Sequence, residues 1–359
     1  MKSVLTVLFL LMPLAAAGQQ TAPPAEPERP AEHPSLTRDP GEIPAIWLVE
    51  PPAPTDGAQP APAPARRPRR PSMVGYINDS AIRSQFRIRF DTGGDIDAPD
   101  RAEFFYPKCG CYRDLGQDHP AFDPDAPGPG PGIASNLEYQ QLYLQAEYAL
   151  NNRLSVYGEL PVRWLRPQEF VPGTGTFGDE AGISDLRAGA KWGMVSTETT
   201  ALTLQLQGTF PTGDGGKGLG VEHFSFEPAL LYNQSLNERL RLEAQVGVVL
   251  PSGGSDGIGT TSESFAGNVI YYGIGPSVEV YRGDDWRVAP VVELVGWRVL
   301  GGYQTTTFSE VEDMDIVNLK VGSRFDFQDR HSVYVGYGRA LTDSVWYKHV
   351  LRLEYRRAF

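Results

Sequence analysis

The sequence predicts an all-β fold: a transmembrane, antiparallel, up-and-down β-barrel of about twelve strands, preceded by a disordered, proline-rich N-terminal leader. Three observations predict it: the alternation of side chains in the last strand, the spacing of similar segments before it, and an export signal with no helical membrane span after it. The length of 359 residues is compatible with one large barrel or with two soluble domains, so length does not decide between them.

The last stretch of the chain, residues 346–359, alternates between two kinds of side chain. A period of two indicates a strand. A long strand with aromatic residues at both ends is typical of a membrane barrel, whose outer face is apolar and whose lumen is polar. The face expected to meet lipid carries Tyr347, His349, Leu351, Leu353, Tyr355 and Phe359. The face expected in the lumen carries Lys348, Arg352, Glu354 and Arg356.

Similar alternation recurs along the chain and predicts twelve strands. They lie near 82–90, 137–150, 153–163, 182–195, 200–210, 222–234, 239–250, 266–282, 285–299, 314–327, 331–341 and 345–358. Tight connections alternate with longer ones, and the longest is an outer loop at 91–136. Short periplasmic turns and long outer loops are typical of outer-membrane barrels, and an even strand number places both chain ends in the periplasm.

The N-terminal part predicts export. Residues 1–17 have the charge, the apolar run and the small residues of a signal peptide. Residues 18–80 are rich in proline and alanine and predict a disordered periplasmic leader, which leaves 81–359 for the barrel. An apolar island at 43–49 is either a sticky patch or a short docking strand or plug.

The absence of a later run of about twenty apolar residues argues against helical spans. Export, alternating strands and no helical anchor indicate the outer membrane of a diderm bacterium. The expected partners are therefore outer-membrane lipid and the barrel-assembly machinery.

Composition excludes some functions but not a barrel. The formal net charge of −12 argues against nucleic acid as a partner, because nucleic-acid binders carry basic surfaces. The mean hydropathy of −0.30 is compatible with a barrel, because only alternate residues of its strands meet lipid. No cofactor is expected.

Two cysteines, Cys109 and Cys111, lie in the longest loop. A tight local disulfide would be strained but is favoured by an oxidising compartment, and free or intermolecular thiols are the alternative. His119 is the only nearby soft ligand, so no metal site is expected. The acidic residues of this loop lack calcium-binding spacing and predict a solvated rim.

His223 and Ser225 suggest a possible enzyme, because some outer-membrane acyl hydrolases place a histidine and a serine two residues apart on one strand face. Alternate residues of a strand face the same side, a rule we call parity, so Ser225 is expected to face the lumen together with Glu227. An enzyme that attacks bilayer lipid needs a site that faces outward. The sequence therefore predicts no enzyme.

Short glycine- and proline-rich motifs follow the strands, and three strands end in Leu-Pro or Phe-Pro. The motifs are Glu159-Leu160-Pro161, Gly182-Ile183-Ser184-Asp185-Leu186, Gly189-Ala190-Lys191, Phe210-Pro211-Thr212-Gly213-Asp214 and Lys217-Gly218-Leu219-Gly220. In them the sequence resembles the family of transporter-like outer-membrane barrels named for the MetA pathway of phenol degradation, over roughly residues 137–359. The resemblance implies a barrel and passage of hydrophobic or aromatic solutes.

The expected function is passive uptake of small solutes, hydrophobic or aromatic by the resemblance. The alternative is a structural or adhesive barrel whose proline-rich arm binds periplasmic or cell-wall partners.

Parity predicts the charged side chains that line the lumen. They are Arg83, Arg87, Arg89, Glu147, Glu159, Asp185, Lys191, Glu227, Arg241, Glu243, Glu279, Glu293, Lys320, Arg324, Lys348, Arg352, Glu354 and Arg356. Either these charges pair across strands and fill the lumen, or a basic seam faces an acidic wall over water and biases passage electrostatically.

Overall fold

The computed structural model describes residues 72–101, 103–254, 264–305, 309–311 and 314–359. The expected signal peptide at 1–17, the leader up to residue 71 and its apolar island at 43–49 lie outside the described residues.

Twelve long antiparallel strands form one closed sheet, which confirms the predicted barrel. They are β1 Gln85–Ile96, β2 Ala134–Ala149, β3 Leu154–Phe170, β4 Leu186–Ser196, β5 Thr200–Phe210, β6 Phe224–Ser235, β7 Leu240–Ser252, β8 Val269–Val278, β9 Trp286–Val299, β10 Met314–Phe327, β11 His331–Ala340 and β12 His349–Ala358. Each strand pairs with its neighbours in the chain, and β12 pairs with β1 from Gln85↔Ala358 to Gly94↔His349. This last ladder closes the ring.

Four short strands accompany the ring. Glu180–Ile183 pairs with β3 just before β4 begins, and Tyr281–Arg282 pairs with β9 just after β8 ends. Tyr303–Gln304 and Ser309–Glu310 form a separate hairpin beyond the end of β9. Two single-turn 3₁₀ helices, Gly110–Asp114 and Gly215–Lys217, lie in loops. No helix in the described part of the chain is long and apolar enough to cross a membrane.

Alternation sorts the side chains of each strand between two environments. On β12, Leu351 and Leu353 are exposed on the outer face, whereas Glu354 and Arg356 are buried inside. A closed ring pairs every strand on both sides, so no unpaired strand edge meets the hydrocarbon of a bilayer. The outer face is therefore apolar and the polar residues collect in the lumen.

The chain reverses tightly at one end of the barrel. At the turn between β10 and β11, Gln328 and Asp329 have φ angles of 51° and 56°. Positive φ at both central residues is the geometry of the two-residue hairpin turn that best fits the twist of the flanking strands. This short-turn end also holds both ends of the barrel, because the Phe359 N–H bonds to the Ser84 carbonyl.

Several predicted boundaries are corrected at the other end, where the long loops lie. β3 continues to Phe170 rather than ending near residue 163. β1 continues to Ile96, so the longest loop spans 97–133 rather than 91–136. β12 begins at His349 rather than near residue 345. The chain before His349 folds over the rim, so alternation does not extend into it. Tyr347, expected to face lipid, is buried inside, and Lys348, expected in the lumen, is exposed.

The boundary between leader and barrel also differs from the expectation. Residues 72–80 were predicted to belong to the leader, yet most of them are buried, and they contact side chains of the barrel lumen. We call residues 72–81 the lumen segment.

Substitutions on the outer face should follow depth in the bilayer. Val292 is exposed at the middle of β9, and Val278 is exposed at the last residue of β8, near the short-turn end. Arginine on the lipid face costs about 2–4 kcal/mol at the midplane and about 0–1 kcal/mol near the interface. We expect Val292→Arg to lower the free energy of unfolding in liposomes by the larger amount and Val278→Arg by the smaller, as measured by urea titration. Equal effects would contradict the assignment of this face to lipid.

Candidate functional site

The charged side chains of the lumen form clusters of ion pairs. The Glu354 carboxylate lies 2.8 Å from Arg324, 2.6 Å from Arg356 and 3.7 Å from Arg87. Because one carboxylate serves three guanidinium groups, these residues of β1, β10 and β12 hold one another in place.

A second cluster lies on β1, β3 and β4. The Glu159 carboxylate lies 3.1 Å from Arg87, 3.6 Å from Arg89 and 3.4 Å from Arg187. The guanidinium carbon of Arg89 also lies 3.6 Å from the centre of the Tyr143 ring, its partner across the ladder. Arg187 was not among the predicted lumen residues.

Of the eighteen predicted lumen residues, fourteen are buried. They are Arg87, Arg89, Glu147, Glu159, Asp185, Lys191, Arg241, Glu243, Glu279, Glu293, Lys320, Arg324, Glu354 and Arg356. Arg83, Glu227 and Arg352 are partly buried, and Lys348 is exposed at the rim. Lys348 therefore does not line the lumen.

Further pairs lie outside these two clusters. Lys191 lies 3.0 Å from Glu147, Arg352 binds both oxygens of Asp91 at 2.7 and 2.6 Å, and Arg282 pairs with Glu279. The predicted alternative in which charges pair across strands thus describes most of these residues.

The lumen segment is held by hydrogen bonds to side chains of the barrel wall. The Glu293 carboxylate accepts the N–H groups of Gly75, Tyr76 and Ile77 at 3.1, 2.9 and 2.9 Å. Glu243 takes the N–H of Met73 at 2.8 Å. Backbone N–H groups buried away from water need such partners.

Arginines of neighbouring strands donate hydrogen bonds to the same segment. Arg324 donates to the carbonyls of Met73 and Val74 at 2.9 and 2.6 Å, and Arg352 donates to the carbonyl of Gly75 at 2.7 Å. Because β9 and β10 pair directly, the acid of β9 and the arginine of β10 hold the segment from the same side of the barrel.

Apolar packing and one glycine let the segment fit. Met73, Val74 and Ile77 share a buried cluster with β9 residues and with Tyr334 of β11. A Cβ atom at Gly75 would lie 2.1 Å from the Tyr334 ring, so this close approach requires glycine.

The loop at 97–133, which we call the inner loop, folds into the lumen from the long-loop end. Phe104 stacks on Trp346 with ring centres 5.3 Å apart, and Phe105 packs edge-on against Tyr139. Arg163 of β3 donates to the Phe105 carbonyl at 2.7 Å. Parity with Glu159 on the same strand could have placed Arg163 in the lumen.

Cys109 and Cys111 form a disulfide within the inner loop, with Cα atoms 5.2 Å apart. Cys109 belongs to a buried cluster with Tyr112 and Phe265, so the bonded pair lies against packed residues of the loop region. Among the described residues, no group of three or more His, Cys, Asp or Glu side chains is placed to hold a metal ion.

Asp185, in the Gly-Ile-Ser-Asp-Leu motif, holds the outer loop between β5 and β6 in place. The Asp185 carboxylate accepts the N–H groups of Gly213 and Val221 at 3.0 and 2.8 Å. Thr212 accepts the N–H of Leu186 at 2.9 Å. The Gly-Ile-Ser-Asp-Leu and Phe-Pro-Thr-Gly-Asp motifs therefore bind each other, and Asp185 serves to position the loop.

Two adjoining cavities lie in the lumen between the inner loop and the lumen segment. They have volumes of about 200 and 170 Å³, and Phe104, Arg187, Tyr271 and Trp297 line both. We call the two together the chamber. Its lining combines aromatic rings with arginine and lysine side chains. The rings were not predicted as lumen residues, although strand parity with the charged residues could have placed Tyr143 and Tyr271.

His223 and Ser225 both line the larger cavity, on the lumen side as parity predicted. The Nδ1 atom of His223 lies 2.7 Å from the Val221 carbonyl oxygen, and burial lowers the pKa of this histidine. No hydrogen bond between His223 and Ser225 is present among the described residues. The pair therefore does not have the geometry of an activated nucleophile.

Asp79 gives the lumen segment a pH-dependent attachment. Its carboxylate lies 3.0 Å from Arg83 and 3.4 Å from Arg356. Burial alone would raise the pKa of Asp79, but the two arginines outweigh burial and lower the pKa to about 2. The unfolded value is about 3.9, so the stabilisation is complete above about pH 4 and is lost as the pH falls through about 2.

We expect Asp79→Asn to speed hydrogen exchange in residues 72–81 at pH 7 by roughly 30- to 100-fold, because the lowered pKa corresponds to roughly 2–3 kcal/mol. The difference between variant and wild type should shrink toward pH 2. Mass spectrometry measures both at matched pH, with the β9 peptide as the internal control. A difference independent of pH would contradict this assignment.

Charge reversal should test the ion pairs of the wall. Arg87→Glu with Arg352→Glu places new carboxylates beside Glu159, Glu354 and Asp91. Loss of one partner of a buried pair costs about 3–5 kcal/mol. We expect the double variant to assemble poorly, as shown by heat-dependent gel migration and urea unfolding.

The control for this experiment is Arg166→Glu, whose exposed pair with Asp179 contributes at most about 1 kcal/mol. An assembled, conducting double variant with altered ion preference would instead show that these arginines face water.

The family described as "Putative MetA-pathway of phenol degradation" matches residues 132–346. A search of curated proteins finds no match.

Three solved structures show similarity over 77% of this chain. An outer membrane channel from Pseudomonas putida F1 is 16% identical, with 96% of its chain covered and a TM-score of 0.47. The β domain of the Bordetella autotransporter BrkA is 14% identical, with 100% covered and a TM-score of 0.45. LpxR from Salmonella typhimurium is 11% identical, with 100% covered and a TM-score of 0.40.

The family match spans more than half of the chain and includes the interlocked motifs around Asp185. This closed barrel therefore belongs to the family described as "Putative MetA-pathway of phenol degradation".

Proposed function

We propose that this outer-membrane barrel is a channel for the passive uptake of small hydrophobic or aromatic solutes. The observation that carries the proposal is the chamber inside the lumen, lined by Phe104, Tyr271 and Trp297. Ligand sites are concave and combine aromatic and apolar side chains with placed polar groups, and the chamber is a concave space in which aromatic rings alternate with charged side chains.

The route through the barrel would run from the long loops, past the inner loop, through the chamber and past the lumen segment. The lumen segment is the narrowing on the periplasmic side, with the leader beyond it in the periplasm. Charge-assisted hydrogen bonds to Glu293, Arg324 and Arg352 hold the lumen segment in place, and its departure from the lumen would widen the route. Outer-membrane lipid would cover the apolar face, and the barrel-assembly machinery would insert the chain.

A structural or adhesive barrel is the second candidate. The observation that favours it is the extent to which the lumen segment, the inner loop and paired charges fill the interior. In that case the lumen segment would anchor the proline-rich leader, and the leader would bind periplasmic or cell-wall partners. A barrel of this kind would not conduct.

Two deletions distinguish the candidates in planar bilayers. We expect the variant lacking residues 19–71 to assemble and to conduct as the full chain does. We expect the variant lacking residues 19–81 to assemble with a larger single-channel conductance, because the peptide inside the lumen is removed.

The pair is matched, because the two variants differ only in the lumen segment. Barrels that assemble but stay electrically silent in both variants would reject the channel and favour the structural role. Equal conductance of the two variants would show that the lumen segment does not narrow the route.

A further inference from the structure

Lys320 of β10 has unusual surroundings for a buried lysine. Its side chain is 1% exposed and lines the smaller cavity of the chamber. Its ammonium donates to the Tyr347 hydroxyl at 2.6 Å and lies 3.9 Å from the centre of the Tyr76 ring. No carboxylate of the described residues lies within ion-pairing distance of it. Buried ammonium groups are costly unless they are paired.

The missing partner can be identified from the ladder. Glu293 of β9 stands directly opposite Lys320 across the sheet. Its carboxylate is turned to the lumen segment, where it accepts three backbone N–H groups and the Tyr334 hydroxyl at 3.2 Å. Asp91, the other acid whose charge acts on Lys320, is occupied by Arg352. The lumen segment therefore takes the acid that would otherwise neutralise this lysine.

We propose that the Lys320 ammonium and the Tyr347 hydroxyl form an anion-binding subsite of the chamber, and that the subsite takes a one-ring aromatic carboxylate. This deepens the proposed function by naming the class of solute. The carboxylate of the solute supplies the direct ion-pair partner that no described carboxylate supplies to Lys320, in a charge-assisted hydrogen bond.

The size and lining of the cavity select the rest of the solute. Its volume of about 170 Å³ is close to the roughly 150 Å³ of an engineered cavity that holds benzene. Tyr139, Tyr271 and Trp297 line it and offer ring faces and edges to an aromatic solute. A bare small anion would meet Lys320 but would leave this aromatic space unfilled.

The test is calorimetric titration of the full chain, purified in detergent, with benzoate, benzamide and acetate. Benzamide keeps the ring and the size but lacks the charge, and acetate keeps the charge but lacks the ring. We expect benzoate to bind at least tenfold more tightly than either, because hydrogen bonds to charged groups contribute roughly a factor of 10 to 100. Equal affinity for benzoate and benzamide, or for benzoate and acetate, overturns the proposal without the use of any variant.

Two lysine variants locate the site. We expect Lys320→Met to lose the preference for benzoate over benzamide, with the same heat-dependent gel migration as the wild type. Lys348→Met, a lysine exposed at the rim, is the matched control and should keep the preference. Benzoate preference that survives Lys320→Met overturns the assignment to this lysine. If that variant does not assemble, Tyr347→Phe removes only the hydroxyl and should reduce the preference, and an unchanged preference overturns the subsite.

Binding and conductance separate this proposal from the channel proposal. Conductance without a benzoate preference rejects the subsite and leaves the channel. A benzoate preference in a silent barrel rejects the channel and leaves the subsite.

Discussion

The Glu293 carboxylate is the contact on which the arrangement of the lumen depends. It is fully buried, and a buried carboxylate without partners costs several kcal/mol. The lumen segment supplies three N–H groups, which need acceptors equally because the segment forms no ladder with the barrel wall. The acid and the segment therefore satisfy each other, and neither would keep its position alone.

The arginines of β10 and β12 extend the same principle to the carbonyl groups of the segment. A guanidinium group has five N–H donors, more than one carboxylate commonly accepts. Arg324 binds Glu354 and has donors left for the carbonyls of Met73 and Val74, and Arg352 binds Asp91 and has one left for Gly75. Donors and acceptors of the barrel wall thus bind the backbone of the segment. Its sequence matters too, because Met73, Val74 and Ile77 pack in a buried cluster and position 75 requires glycine beside Tyr334.

Alternation predicted the strands because each strand separates two environments, lipid and lumen. The same rule could not predict the chain where it lies in one environment only. Residues 72–81 are surrounded by the barrel on all sides, so they show no period of two and resemble the end of the linker. At the rim, Tyr347 turns inward and Lys348 outward because the chain has left the sheet, although their types fit the alternation of β12.

The tyrosines show why the aromatic lining of the chamber was harder to predict than the charged residues of the lumen. Tyr148 and Tyr337 are exposed on the outer face, whereas Tyr139 and Tyr143 are buried inside, so the residue type does not decide the face. A tyrosine suits either place, because its ring can meet lipid and its hydroxyl can find a polar partner in the lumen. Strand parity counted from a charged neighbour would have decided the face on β2 and β8. It could not have shown that these rings line one cavity together with Lys320, since that depends on how distant strands are arranged.

The lumen segment has two effects that cannot be separated. It narrows the interior on the short-turn side, and by occupying Glu293 it leaves the Lys320 ammonium beside the Tyr76 ring without a carboxylate. Removal of the segment would free Glu293 to pair with Lys320, its neighbour across the ladder. Width and charge in the chamber would then change together: the wider lumen would be the less cationic one. A solute that needs the positive charge is therefore held best while the segment is in place.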